Sequence, residues 1–156
     1  MTAPVLIFGY GNPARGDDAL GPEFIRRVEA RFAAELARGD LEVLTDYQLQ
    51  VEHVLDLRAR ERVYFVDAIA GGERVEVRAV VPERDASFTT HLLSPAALLH
   101  TYEQIEHHSA PSAWLITIPG EDFELGAPMS ESAQRYLEQA LASWSPSPCA
   151  AGRGSG

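Results

Sequence analysis

Two carboxylates and one imidazole, each at the end of a short apolar run or in a polar loop, are the residues of this chain best suited to chemistry. Asp18 ends the glycine-rich stretch Gly9-Tyr10-Gly11-Asn12-Pro13-Ala14-Arg15-Gly16-Asp17-Asp18, which directly follows the apolar run Pro4–Phe8. Asp67 follows the run Arg62–Val66, and His91 closes the polar segment Ser87-Phe88-Thr89-Thr90-His91. A donor set of two oxygens and one nitrogen can hold a divalent transition metal and leave positions open for water or substrate. Asp18 and Asp67 could equally form a carboxylate pair sharing a proton, as in aspartic-protease chemistry. Residue types alone do not choose between these pictures.

Each of these residues also has a structural reading. Asp17 and Asp18 suit the first turn of a helix, where acids cap and complement the dipole. Asn12 suits a turn. Asp67 can be held by loop N–H groups, and a single His91 in a polar loop is an ordinary hydrogen-bonded residue. Gly9, Gly11 and Ala14 match the looser dinucleotide fingerprint G-x-G-x-x-A, which raises a non-catalytic nucleotide-binding module as an alternative. Against it, Pro13 and Gly16 prolong the loop, and the two aspartates compete with a phosphate at the helix start. The remaining histidines carry less signal: His107 and His108 fall near a helix end, His100 sits mid-helix, and Glu52-His53 reads as surface. The chain has no H-E-x-x-H, G-x-S-x-G or Walker motif.

These residues need a scaffold that brings three loops to one end. Pro4–Phe8, Leu41–Leu44, Arg62–Val66 and Trp114–Ile118 read as strands, and Glu73–Val81 alternates with period two, as a half-exposed edge strand does. Leu20–Ala37 shows helical spacing of Phe24, Ile25, Val28, Phe32 and Leu36 before Gly39. Val51–Leu57, Pro95–His107 and Ser130–Trp144 are the other helices, the last capped by Ser130. Alternation of this kind predicts an α/β fold with a mostly parallel sheet and helices on both faces. Ligands of such sheets gather beyond the carboxyl ends of the strands.

The chain has 156 residues, 46% of them apolar and 23% charged. That predicts one domain, over residues 1–144, followed by a flexible tail, 145–156, that begins at the Ser-Pro-Ser-Pro stretch. Thirteen basic residues against 23 acidic ones give a net charge of −10, which disfavours nucleic acid and anionic lipid as partners. The single cysteine, Cys149, supports neither a disulfide framework nor a Cys-ligated metal site. No basic region precedes the short apolar run Val5–Phe8, and no apolar stretch reaches the roughly eighteen residues of a membrane span, so the expected compartment is the cytoplasm.

The combination of Gly9-x-Gly11-Asn12, Asp17-Asp18, Val66-Asp67-Ala68 and Thr90-His91 resembles the [NiFe]-hydrogenase maturation endopeptidases. The resemblance continues through Leu115–Phe123 and Leu125-Gly126 to the last helix. It implies a three-layer α-β-α fold around a twisted five-stranded sheet with one antiparallel edge strand. It also implies removal of the C-terminal extension of a hydrogenase large-subunit precursor once nickel has been inserted. Asp18, Asp67 and His91 then fall on the family's metal-binding and catalytic acids and histidine. The resemblance further implies that the nickel is carried by the substrate and that cadmium or zinc can stand in for it. Hydrolysis would proceed by metal polarisation of the scissile carbonyl, by activation of water, or with Asp18 or Asp67 as general base. Asn12 and the N–H groups near Gly11 would orient substrate or steady an oxyanion. One departure is Ala19, where the family usually has glycine, while Gly21 is kept. A chaperone that docks the large subunit without cutting it is a third reading. The expected oligomeric state is a monomer.

Overall fold

The computed structural model describes residues 2–84 and 93–147. Five strands form a single sheet: β1 (Val5–Tyr10), β2 (Leu41–Asp46), β3 (Arg62–Ala70), β4 (Glu76–Val80) and β5 (Ser112–Gly120). Their order is β2-β1-β3-β5-β4, with every pairing parallel except that of the edge strand β4 with β5. The α/β architecture is as the sequence predicts. The strand order reverses between β1 and β3, which makes their carboxyl ends the crevice where such sheets take ligands.

Two apolar layers sandwich the sheet. On one face α1 (Leu20–Arg31) and α4 (Glu131–Ser143) bury Phe24, Ile25, Val28, Leu137 and Ala140 against Val5, Ile7, Val66, Ile116 and Ile118. On the other, a 3₁₀ helix (Val51–Leu57) and α3 (Pro95–Glu106) bury Val54, Leu57, Leu98, Leu99 and Tyr102 against Leu6, Phe8, Val63 and Phe65. The continuous apolar run of β1 is thus buried on both sides, as a central parallel strand must be. Ser94 and Ser130 cap α3 and α4, accepting the N–H groups of Ala97 and Ala133. Among the described residues no helix is long and apolar enough to cross a membrane.

Two expected boundaries differ. The helical pattern over Leu20–Ala37 is interrupted at Phe32, whose φ of −113° and ψ of 34° end α1 and start α2 (Ala33–Arg38). The ring of Phe32 turns edge-on to Trp144, 5.3 Å away. β3 runs past Val66 to Ala70, because β5 continues beside it as far as the Ala70–Gly120 pair. Asp67 therefore lies inside a strand and not in a loop after one. Beyond Trp144, Pro146 is buried and its carbonyl accepts a hydrogen bond from Arg62 at 2.8 Å. Residues 148–156 of the expected tail lie outside the described residues.

Candidate active site

The face of the sheet that carries Phe8 and Phe65 ends in a row of polar side chains. One level down, Leu44, Phe8, Phe65 and Leu115 stand side by side in register across β2, β1, β3 and β5. Side chains alternate between faces, so two residues further along the same face returns. There the register places Asp46 beside Tyr10 and Asp67 beside Thr117. Tyr10 and Asp67 follow the paired Gly9 and Val66 and so stand next to one another at the switch point. The strands change from apolar to polar at one common level, and that level is the floor of the site.

A cavity of about 650 Å³ opens above it, lined by Tyr10, Gly11, Asn12, Asp18, Asp67, Leu93 and Ser94 together with the Tyr47–Leu49 wall and Pro95. Asp18 and Asp67, expected from the sequence, thus share one cavity. His91 lies outside the described residues, as does the whole segment Ser87–His91. Among the described residues no three His, Cys, Asp or Glu side chains are grouped to hold a metal ion.

The Asp67 carboxyl is pushed up to about pKa 6, first by burial and then by the negative charge of Asp18; the Ala68 N–H and the Tyr10 phenol pull it the other way. Burial and the Asp67 charge in turn hold the Tyr10 phenol well above its ordinary range. No basic side chain lines the cavity among the described residues. Among the described residues the two acids therefore repel with no basic side chain in the cavity to offset them. A cation with oxygen-accepting chemistry is the natural counterpart of such a pair.

The acidic pair divides its labour. Asp17 is wholly buried and lies away from the cavity. It accepts hydrogen bonds from the N–H groups of Glu121, Asp122 and Ser130 at 2.7, 3.1 and 2.7 Å and from the Ser130 hydroxyl at 2.7 Å. Its own N–H donates to the Asp122 carbonyl at 2.7 Å, and Gly126 N–H donates to Ala14 at 2.7 Å. The β1 loop is thereby clasped to the β5–α4 loop. Neither aspartate caps the following helix through its side chain, contrary to the capping reading. Asp18 instead accepts the Asn12 N–H at 2.6 Å, which folds the loop back over the cavity.

The glycines of this loop are there for close approach. A Cβ on Gly11 would lie 2.0 Å from the Asp18 carbonyl oxygen, at a φ of +147°. One on Gly9 would lie 2.3 Å from the Gly21 carbonyl, and one on Gly21 would lie 2.4 Å from that of Tyr10. The start of α1 thus rests on the end of β1 with no side chain between them. Ala19, where glycine was expected, has φ −73° and ψ −6°, which alanine adopts without strain. Gly11→Ala is expected to cost about 2–3 kcal/mol in urea unfolding and to displace Asp18, because the new methyl group must move a backbone carbonyl.

Three backbone N–H groups of this loop are already taken. Gly11 N–H bonds the Asp46 carbonyl, Asn12 N–H the Asp18 carboxylate, and Ala14 N–H the Asn12 side-chain oxygen. A phosphate seated here would have to displace a carboxylate, which weighs against the nucleotide-binding reading. Among the cavity-lining groups of this loop, the Asn12 carboxamide nitrogen remains as a donor.

His53, read from the sequence as surface, is 8% exposed. Its Nδ1 accepts the Gln50 N–H at 2.8 Å, which leaves Nε2 to donate to Asp46 at 3.1 Å, and its ring stands edge-on to Phe8 at 4.7 Å. Asp46 also accepts the Tyr47 N–H at 2.7 Å. This network fixes the Tyr47–Leu49 wall of the cavity. His107 and His108 are exposed at the end of α3, as expected.

No protein-family model matches the chain, and no curated protein sequence matches it. Solved structures do. The crystal structure of the [NiFe] hydrogenase maturation protease HycI from Thermococcus kodakarensis KOD1 is similar with a TM-score of 0.69 at 24% identity, over 90% of this chain and 88% of that one. The hydrogenase maturating endopeptidase HybD from E. coli is similar with a TM-score of 0.65 at 19% identity, over 91% and 88%. The Hydrogenase 3 maturation protease is similar with a TM-score of 0.63 at 18% identity, over 90% and 88%. At these identities the shared feature is the fold, along nearly the whole of both chains.

Proposed function

We propose that this chain is an endopeptidase that removes the C-terminal extension of a [NiFe]-hydrogenase large-subunit precursor after nickel insertion. The observation that carries the reading is the convergence of Asp18 and Asp67 on one cavity at the switch point of a sheet whose fold is that of hydrogenase maturation proteases. His91 completes the donor set. In the sequence His91 stands two residues before Leu93, which lines the cavity.

In this reading the nickel belongs to the substrate. Asp18, Asp67 and His91 offer a partly filled set of ligands to an ion already held by the precursor, which lets the enzyme sense nickel before cutting. Cadmium or zinc can stand in at the same donors. Asp67, with its pKa near 6, is mostly ionised at pH 7 and available as ligand or general base. Asp18, its carboxylate oriented by the Asn12 N–H, holds the second oxygen position. The scissile carbonyl then faces the Asn12 carboxamide, which can steady the developing oxyanion. The working compartment is the cytoplasm, and the enzyme acts as a monomer on one large protein partner.

Incubation with nickel-loaded precursor, read by intact mass, tests the reading. The extension is expected to be lost with the wild-type chain and to stay on with Asp67→Ala and with His91→Ala, both of which remain folded. A precursor left whole by wild type but trimmed by a cognate protease would overturn the reading, and full activity in both variants would place the site elsewhere.

A further inference from the structure

The polar row across the sheet holds one side chain that the cleavage reading leaves unused. Thr117 is the in-register neighbour of Asp67 on β5 and presents its side chain to the same face. It is only 8% exposed, and its hydroxyl has no hydrogen-bond partner among the described residues. A buried hydroxyl left unpaired is unfavourable, and native proteins rarely keep one without a use. Glu76, the neighbour of Thr117 on the other side, already pairs with Arg78 at 3.0 Å and with Arg74 at 3.6 Å. The Asp67 carboxylate is held on one flank by the Tyr10 phenol and also accepts the Ala68 N–H. On the flank facing β5 its in-register neighbour is Thr117. Adjacent strands are about 4.8 Å apart, and rotation about the single χ1 bond of a threonine turns its hydroxyl toward or away from a neighbour at that spacing.

We propose that Thr117 is a positioning residue for Asp67, whose hydroxyl donates to the carboxylate when Asp67 engages the substrate's metal, so that Tyr10 and Thr117 grip it from both sides. The inference rests on the cleavage reading above. Residues that orient a ligating carboxylate in this way typically contribute about tenfold or more to metal affinity or turnover.

Thr117→Val removes the hydroxyl and keeps the shape, and Thr117→Ser restores the hydroxyl alone. Three quantities are to be measured: calorimetric binding of cadmium alone, kcat and KM on nickel-loaded precursor, and the urea midpoint of unfolding. Thr117→Val is expected to bind cadmium about tenfold more weakly and to lower kcat about tenfold with KM within about twofold. Its unfolding midpoint should be no lower than wild type, because the resting hydroxyl has no partner among the described residues to lose. Thr117→Ser should recover affinity and kcat. Wild-type values in Thr117→Val, or a Thr117→Ser as impaired as Thr117→Val, would overturn the positioning role and leave the cleavage reading standing. A lower midpoint in Thr117→Val alone would show that the hydroxyl serves the fold and would overturn it too. A wild-type chain that neither binds cadmium nor trims the precursor would remove both.

Discussion

Asp67→Asn is expected to abolish processing and at the same time stabilise the protein at neutral pH. The carboxyl has a folded-state pKa of about 6, against 3.8 for the free side chain. The folded chain therefore holds this proton more tightly than the unfolded one does, and stability falls as pH rises from about 4 through 6, then levels off. A gap of about two pKa units is worth about 3 kcal/mol. Asparagine carries no charge to desolvate and does not repel Asp18. It keeps an oxygen for the Ala68 N–H. Unfolding in urea at pH 8 should give a gain of about 2–3 kcal/mol that shrinks below about 1 kcal/mol at pH 4, where wild-type Asp67 is also protonated. Processing of precursor should drop about 10²–10⁴-fold, the range for loss of a positioned acid–base group. A variant less stable than wild type at pH 8 would mean that Asp67 is a structural carboxylate.

The neighbouring acids should behave in opposite ways. Asp17→Ala removes a buried acceptor from three N–H groups and one hydroxyl. Hydrogen bonds to a charged group contribute about 1.5–3 kcal/mol each, and buried donors left without partners add a penalty. A loss of about 4 kcal/mol is expected, a large share of the roughly 5–15 kcal/mol that holds a domain together. Burial alone would raise the Asp17 pKa, but the bonds from Glu121, Ser130 and Asp122 outweigh it and hold the carboxyl below its ordinary value. Its stabilising contribution is thus present above about pH 4 and lost as pH falls through the lowered folded value. Acid unfolding of wild type should show that loss, and Asp17→Ala should not. Asp18→Asn, in contrast, should stay within about 1 kcal/mol of wild type and lose processing. Equal destabilisation by the two variants would contradict the division between clasp and site.

Much of this arrangement is legible in the sequence, and the exceptions have physical causes. Asp67 can be picked out because a carboxylate directly after Tyr64-Phe65-Val66 must either find partners or serve a function. That β3 continues past it cannot be read locally, since the ladder is completed by β5, far along the chain. Asp17 and Asp18 are the same residue type side by side, and no pattern says which one enters the cavity. The choice is made by Gly16, at φ +53°, and by its close approach to the Asp122 carbonyl. Tyr10 reads as part of the glycine-rich loop, although its even spacing from Leu6 and Phe8 places it on the face of Asp67. His53 looks like surface until Gln50, Asp46 and Phe8 close around its ring. The break at Phe32 is likewise a tertiary effect, set by Trp144 and not by helix propensity.

The central question is whether these acids act on a peptide that carries nickel. The most direct measurement compares nickel-loaded and nickel-free large-subunit precursor, incubated in parallel with the wild-type chain and weighed intact. The loaded precursor is expected to lose its C-terminal extension and the nickel-free one to keep it. Both forms remaining whole, under conditions where a cognate protease trims the loaded one, would contradict that expectation.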